Sequence, residues 1–325
     1  MVSQGLRRLG YGVLALLLST GFVAPAAAEY PDRGIRILVP YPAGGPNDIL
    51  ARMLGDKLTQ SFGKQTIIEN RPGAGGNIAV DAAARAEPDG YTAVLPAMAY
   101  AVNPYLYARV PYKFESLKAV SIVASGPLVL VVTPSLGVSS VQDLIKLAKE
   151  KPGALSYASG GNGSSLHLAA EMFKREAGVD MVHVPYKGTN DLIADLLTGR
   201  VPLAFLSPLN ARELVKDGRL KALAVTTSQR SPGWDEVPTV AEQGLPGFNV
   251  EGWYAVLVPA GSPPATIETL NHALKQALES PDIGNRLRSL GIQPVGTTPD
   301  DAEAFLKSER AKWQKLVEDA KLKAD

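Results

Sequence analysis

The sequence predicts an α/β protein of two domains, each a helix-covered, mainly parallel sheet, with a cleft between them. Strand-length apolar runs and helix-period segments alternate at short spacing along most of the chain, the pattern of a sheet covered by helices on both faces. A strand, a glycine-rich loop and a helix start recur in that order at 35–52, 66–84 and 155–173. An apolar stretch at 120–132 is broken by Gly126-Pro127, and a second one at 250–258 follows a long proline-rich loop. The chain is therefore expected to leave its first domain once and return once, giving domains of residues 29–126 plus 250–325 and of residues 127–249.

The N-terminal residues read as a targeting segment. Arg7 and Arg8 precede an apolar run over 11–23, and Ala26-Ala27-Ala28 offers the small residues of a cleavage site before Glu29. Ser19, Thr20 and Gly21 interrupt the run, which is shorter than the ~20 apolar residues of a membrane span. Residues 1–28 are thus expected to be a cleaved signal peptide for general secretion. The chain has no cysteine, which excludes disulfides, thiolate metal sites and thiol catalysis. Net charge is +1, or −1 once Arg7 and Arg8 are gone, and no basic patch points to nucleic acid.

Residues 35–39 form a β-branched strand ended by Pro40 and Pro42, neither of which donates a ladder hydrogen bond. Gly44 and Gly45 would bring backbone N–H groups close to a ligand, and the next helix, with Asn47 or Asp48 as its expected N-cap, would present unpaired N–H groups and a positive dipole end. Such a mouth takes an anion without an arginine. A strand at 66–69 leads into the glycines of 73–76 and an alanine-rich helix. Residues 103–114, with Pro104 and Pro111, are expected to be irregular. In the second domain Ser139-Ser140 caps a helix to about residue 150. A strand at 155–158 then runs into Ser159-Gly-Gly-Asn-Gly-Ser-Ser165 and another helix. Strands at 181–184, 203–206 and 220–226 alternate with helices at 191–198 and 211–216. Helices at 265–278, 282–290 and 302–320 close the chain.

A glycine loop after a strand is often only a tight turn, but three of them would put helix N-termini on facing walls of a cleft, where ligands of open α/β sheets sit. The dinucleotide and Walker spacings are absent. Ser164 and His167 suggest nucleophilic catalysis only weakly, since no Gly-x-Ser-x-Gly elbow is present. His167, His183 and His272 have no metal spacing, and no cofactor is expected. Trp253 and Tyr254 read as core or cleft-wall aromatics.

Pro42-Ala-Gly-Gly-x-x-Asp48-x-x-Ala-Arg52, Glu69-Asn-Arg-Pro-Gly-Ala-Gly-Gly-Asn77, Pro88-Asp-Gly-Tyr-Thr92 and Ser159-x-Gly-Asn-Gly-Ser-x-x-His-Leu168 stand in order along the chain. Val184-Pro-Tyr-Lys-Gly188, Leu223-Ala-Val-Thr226, Val237-Pro-Thr-Val-Ala-Glu242 and Pro259-Ala-Gly261 follow. Together they resemble the extracytoplasmic receptors of tripartite tricarboxylate transporters, the Bug receptors. The resemblance implies a two-domain periplasmic binding protein, type II-like, monomeric, closing on a small carboxylate such as a di- or tricarboxylate, an acidic amino acid or nicotinate. It implies delivery to membrane permease subunits; presentation of the ligand to a membrane sensor kinase is the alternative, and an exported Ser/His hydrolase a more remote one. Carried over by motif, the ligand-binding residues are Tyr41, Ala43, Gly44, Gly45, Asn47 and Asp48, with Ser159, Gly163, Ser164, His167, Tyr186, Lys187, Gly188 and Ser207. Pro46-Asn47 and Leu206-Ser207-Pro208 depart from the common family pattern, and both positions are placed to face the ligand.

Overall fold

A computed structural model describes residues 30–323. The expected signal peptide lies outside the described residues. In chain order the elements are β1 (Ile35–Val39), α1 (Pro46–Phe62), β2 (Thr66–Asn70), α2 (Asn77–Ala84), β3 (Thr92–Val94), α3 (Ala99–Leu106) and β4 (Leu117–Pro127). Then come β5 (Val129–Val132), α4 (Val141–Glu150), β6 (Ser156–Ser159), α5 (Ser165–Ala177), β7 (Val182–Pro185), α6 (Thr189–Thr198), β8 (Leu203–Leu206), α7 (Pro208–Lys216) and β9 (Lys221–Val225). The chain ends with β10 (Glu251–Pro259), α8 (Pro264–Glu279), α9 (Pro281–Ser289), β11 (Gln293–Pro294) and α10 (Pro299–Ala320).

The strands make two sheets, one in the order β11-β4-β10-β3-β1-β2 and one in the order β7-β6-β8-β5-β9. Both are mixed. Pairing is parallel where βαβ units build the sheet, β2-β1-β3 and β7-β6-β8, and antiparallel wherever β4, β5, β9, β10 or β11 takes part. Those strands lie beside the two passages between the sheets, where the chain enters against the direction of the βαβ strands; the sequence pattern shows a strand's burial but not its direction.

Alternation along β1 sorts the layers. Ile35, Ile37 and Val39 pack with the apolar faces of α1 and α8, while Leu38 joins a core that runs through the inner face of this sheet into the second one. Ser140 caps α4 as expected, its Oγ accepting from Asp143 N at 3.0 Å. Part of the stretch expected to be irregular is helical: α3 carries Pro104 inside it, and burial of Tyr100, Val102 and Leu106 outweighs the proline's helix-breaking tendency. Thr226 ties the two passages together. Its N–H donates to Leu128 O (2.9 Å), its Oγ1 accepts from Leu128 N (2.7 Å) and donates to Val250 O (2.6 Å), and its carbonyl accepts from Val250 N (2.9 Å).

Candidate functional site

The loops after β1, β6, β7 and β8 all open at the carboxyl ends of parallel strands, and between them lies a cavity of about 190 Å3. Across its mouth the first sheet's Pro42 faces the second sheet's Gly188, whose Cβ, if it had one, would stand 3.7 Å from Pro42 Cγ.

The first loop is fixed from behind. Gly44 is left-handed (φ +81°) and its N–H donates to Asp48 Oδ2 at 2.9 Å, while Arg52 Nε donates to the same oxygen at 3.0 Å. Burial opposes ionisation of Asp48, but bonds from Arg52, the Gly44 N–H and Asn70 outweigh it and hold the carboxyl below its ordinary range. The N-cap of α1 is Gly45, with Pro46 at the first helical position, and not Asn47 or Asp48. The rigid φ of Pro46 suits that position, so the helix starts two residues earlier than an Asn47 cap would place it, and three earlier than an Asp48 cap. Asn47 instead uses its amide nitrogen to donate to Leu95 O (3.1 Å). The expected ligand donors at Gly44 and Gly45 are thus engaged within the loop, Gly45 N donating to Pro42 O at 3.4 Å.

The second loop follows the same plan with different residues. Ser159 Oγ bonds His183 Nε2 (2.6 Å) and accepts from Gly161 N (3.1 Å). Gly163 N donates to His167 Nδ1 at 3.2 Å, and Ser164 Oγ caps α5 by accepting from His167 N at 3.3 Å. The imidazoles of His167 and His183 stack with centroids 4.2 Å apart, and Tyr157 stacks on His183 at 4.9 Å. Burial pushes both histidines down to about 4, so at neutral pH they are uncharged. The Ser164 hydroxyl therefore meets the backbone of His167 and not its ring, and the hydrolase alternative lacks its nucleophile–base contact.

Of the residues proposed from sequence, Tyr41, Ala43, Gly45, Asn47, Ser164, Gly188 and Ser207 stand on the cavity wall. Gly44, Asp48, Ser159, Gly163 and His167 lie behind it and shape the loops. Tyr186 turns its hydroxyl to Asp195 (2.7 Å), and Lys187 is exposed off the wall. The wall also contains residues the sequence did not single out for a ligand: Thr189 and Asp191 at the start of α6, Met98, Leu128, Ile292, and the pair Trp253 and Tyr254 from β10. Trp253 is aimed by Glu309 of α10, whose Oε2 accepts from the indoles of both Trp253 and Trp313 at 2.8 Å. Only the aromatic pair left a signal in the sequence, as cleft-wall aromatics; the others reach the wall through packing of distant segments.

The electrostatics come from helix ends. The first residues of α1, α5, α6 and α7 all lie on the wall, as Gly45-Pro46-Asn47, Ser164-Ser165-Leu166, Gly188-Thr189 with Asp191, and Ser207-Pro208. Four positive dipole ends converge there, with no lysine, arginine or histidine among the lining residues. Among the described residues no group of acidic and histidine side chains is placed to hold a metal, and no helix is long and apolar enough to cross a membrane.

Two α/β units joined by paired strands, with an anion-favouring cavity walled by loops of both, define a solute-binding protein of the periplasmic type. The chain belongs to the tripartite tricarboxylate transporter family receptors, whose model matches residues 50–322. It is 38% identical to the protein BugT of Bordetella pertussis over 318 residues, 96% of this chain and 98% of that one. It is similar to the R. palustris protein Rpa4515 solved with adipate, at a TM-score of 0.86 and 35% identity, covering 90% of this chain and 99% of that one. MatC from Rhodopseudomonas palustris, solved with bound malate, superposes at a TM-score of 0.82 with 28% identity, over 89% of this chain and 100% of MatC. These are receptors and not enzymes, and the family is extracytoplasmic.

Proposed function

We propose that this chain captures a small carboxylate in the cavity by closure of residues 29–126 plus 250–325 against residues 127–249, and delivers it, as a monomer in the periplasm, to membrane permease subunits of a tripartite tricarboxylate transporter. The observation that carries this reading is the convergence of four helix N-termini on a wall without a basic side chain. Backbone N–H groups there, such as those of Asn47, Ser165, Leu166 and Thr189, hold no acceptor within their helices. A buried carboxylate satisfies several of them at once, and charge-assisted hydrogen bonds of this kind are about twice as strong as neutral ones. Adipate and malate in the two related structures are of this class.

The contacts we assign are those made by Tyr41, Ala43, Gly45, Asn47, Ser164, Gly188 and Ser207, with Gly44, Asp48, Ser159, Gly163 and His167 holding the loops. The test is a thermal-shift screen of protein stripped of ligand by unfolding and refolding, against mono-, di- and tricarboxylates, acidic amino acids and aromatic acids. A ligand at ~100 times its dissociation constant adds about 2.7 kcal/mol of stability. Silence of the folded protein across the panel refutes the reading.

A further inference from the structure

The ligand cavity touches only one end of the long β4–β10 pair. Gly126 and Pro127 end β4 there, and Gly252, Trp253 and Tyr254 stand near the start of β10. At the other end, roughly 30 Å away at the rise of an extended strand, Leu117 and Lys118 of β4 and Leu257 of β10 line a separate groove of about 620 Å3. Its remaining walls include Tyr100 of α3, Phe114 and Glu115 in the turn before β4, and one face of α10. That face presents Glu303, Lys307, Arg310 and Gln314 at helical spacing.

Arg310 is the unbalanced group. Its guanidinium carbon lies 3.5 Å from the centroid of the Phe114 ring, its Nε is shut off from solvent without an acceptor, and among the described residues it makes no hydrogen bond or ion pair. The carboxylate one face-repeat away is spent elsewhere: Glu303 accepts from Ala119 N at 2.7 Å and pairs with Lys118 at 3.6 Å. Glu115 is exposed, and Lys307 adds a second unpaired cation three residues before Arg310. The lining carries three cations and two carboxylates, an excess of one positive charge. Buried donors in native proteins are nearly always paired, so this guanidinium lacks a partner that the chain itself does not supply. A planar guanidinium fork matches a carboxylate, and an excess of one charge matches a single one, since Glu115 and Glu303 repel a second. Beside the fork the surface is apolar and buried, with Tyr100, Leu117, Leu257 and Leu306.

We propose that this groove is a second binding site, for a monocarboxylate with an aryl or branched apolar body, whose carboxylate pairs with Arg310 and whose body covers Leu257 and Leu306. The carboxylate supplies the guanidinium with both its missing acceptor and its missing counterion. The site lies outside the cleft and does not depend on what the cleft binds.

The experiment is a titration followed by NMR of the arginine Nε–H resonances, at fixed ionic strength, with 3-phenylpropionate, acetate and the neutral 3-phenylpropionamide as probes. No arginine lines the cleft cavity, so the Arg310 signal reads the groove and not the cleft. Arg310→Met, checked by thermal melting, assigns that signal by its disappearance; Arg310→Lys does the same should the methionine variant not fold. In the wild type 3-phenylpropionate shifts the Arg310 resonance saturably, and acetate binds at least about tenfold more weakly because it buries no ring. The amide, which brings the ring without the charge, is also weaker by about tenfold or more. No shift of the Arg310 signal by 3-phenylpropionate up to its solubility limit overturns the proposal. Equal affinity for acetate removes the apolar half of the site, and equal affinity for the amide removes the ion pair; either result overturns it as well.

Discussion

Replacing Gly163 by alanine separates closure of the cleft from folding of the second unit. Gly163 lies in the loop before α5 at φ +76°, and a Cβ there would stand 2.8 Å from Oδ1 of Asn103, which belongs to α3 of the other unit. Two effects add. An L-residue in the left-handed region costs about 1–2 kcal/mol whether the cleft is open or closed, and this appears as a lower melting temperature. The clash exists only when Asn103 is opposite. Asn103 has little freedom to give way, since it is buried and its Nδ2 donates to Gly75 O at 3.0 Å and to Asn77 Oδ1 at 2.8 Å. Overpacking of this kind costs about 1–3 kcal/mol, which weakens ligand binding by roughly five- to 150-fold. Gly178→Ala is the control: it follows α5 at φ +61° with nothing within 4 Å of its Cβ, so it carries the backbone cost alone. Melting and calorimetric titration of the two variants, with whichever acid the screen identifies, read the two effects apart. If Gly163→Ala binds as tightly as wild type while melting like Gly178→Ala, contact between Asn103 and the glycine loop has no part in closure.

Three further outcomes follow from the packing. The stacked histidine pair, His167 buried and His183 partly so, has folded-state values near 4 against an unfolded 6.5, so its neutral form stabilises the protein fully above pH 6.5 and that stability is lost as pH falls toward 4. Urea denaturation from pH 7 to pH 4.5 should show the loss, at most about 1.4 kcal/mol per pH unit per histidine, and His183→Gln should flatten the slope. Asp48, held below its ordinary value, contributes stability above the unfolded carboxyl range that disappears as pH drops through its folded value. Asp48→Asn, which weakens the acceptor for Gly44 N and Arg52, is expected to lower stability by about 1–3 kcal/mol in a denaturant melt at pH 7. Thr226→Val keeps the shape of the side chain but leaves Leu128 N–H and Val250 O without their Oγ1 partner; a loss of about 2–4 kcal/mol is expected by urea melting, and a loss under 1 kcal/mol would show that water or backbone shifts replace the clasp.

The alternation of elements and the three glycine loops were legible because both rest on local rules: apolar period, proline stops, and serine caps such as Ser140 and Ser164. Local rules misplaced the N-cap of α1, where Pro46 as first helical residue competes with the capping side chains of Asn47 and Asp48, and they hid α3 behind Pro104. Strand direction was also out of reach, since a buried run such as 117–127 looks alike in either sense. For the cavity, sequence proximity found the loop residues but could not divide them into wall and support. Asp48 and His167 carry the chemistry that suggests ligand contact, yet both spend it on neighbouring groups, whereas Met98 and Ile292 reach the wall from segments with no motif of their own.

The place of β10 bears on how the chain assembles. All strands of the second sheet lie within one continuous stretch, from Val129 to Val225, but β10 sits between β3 and β4 in the first sheet and is made after every strand of the second. Until residues 251–259 arrive, β3 and β4 each present an open edge with unpaired N–H and C=O groups, a template for pairing between chains. The first-sheet half is thus left unfinished through most of synthesis. A fragment ending at residue 249 should form its second sheet and still self-associate, and adding β10 as a separate peptide should suppress that association by filling the slot.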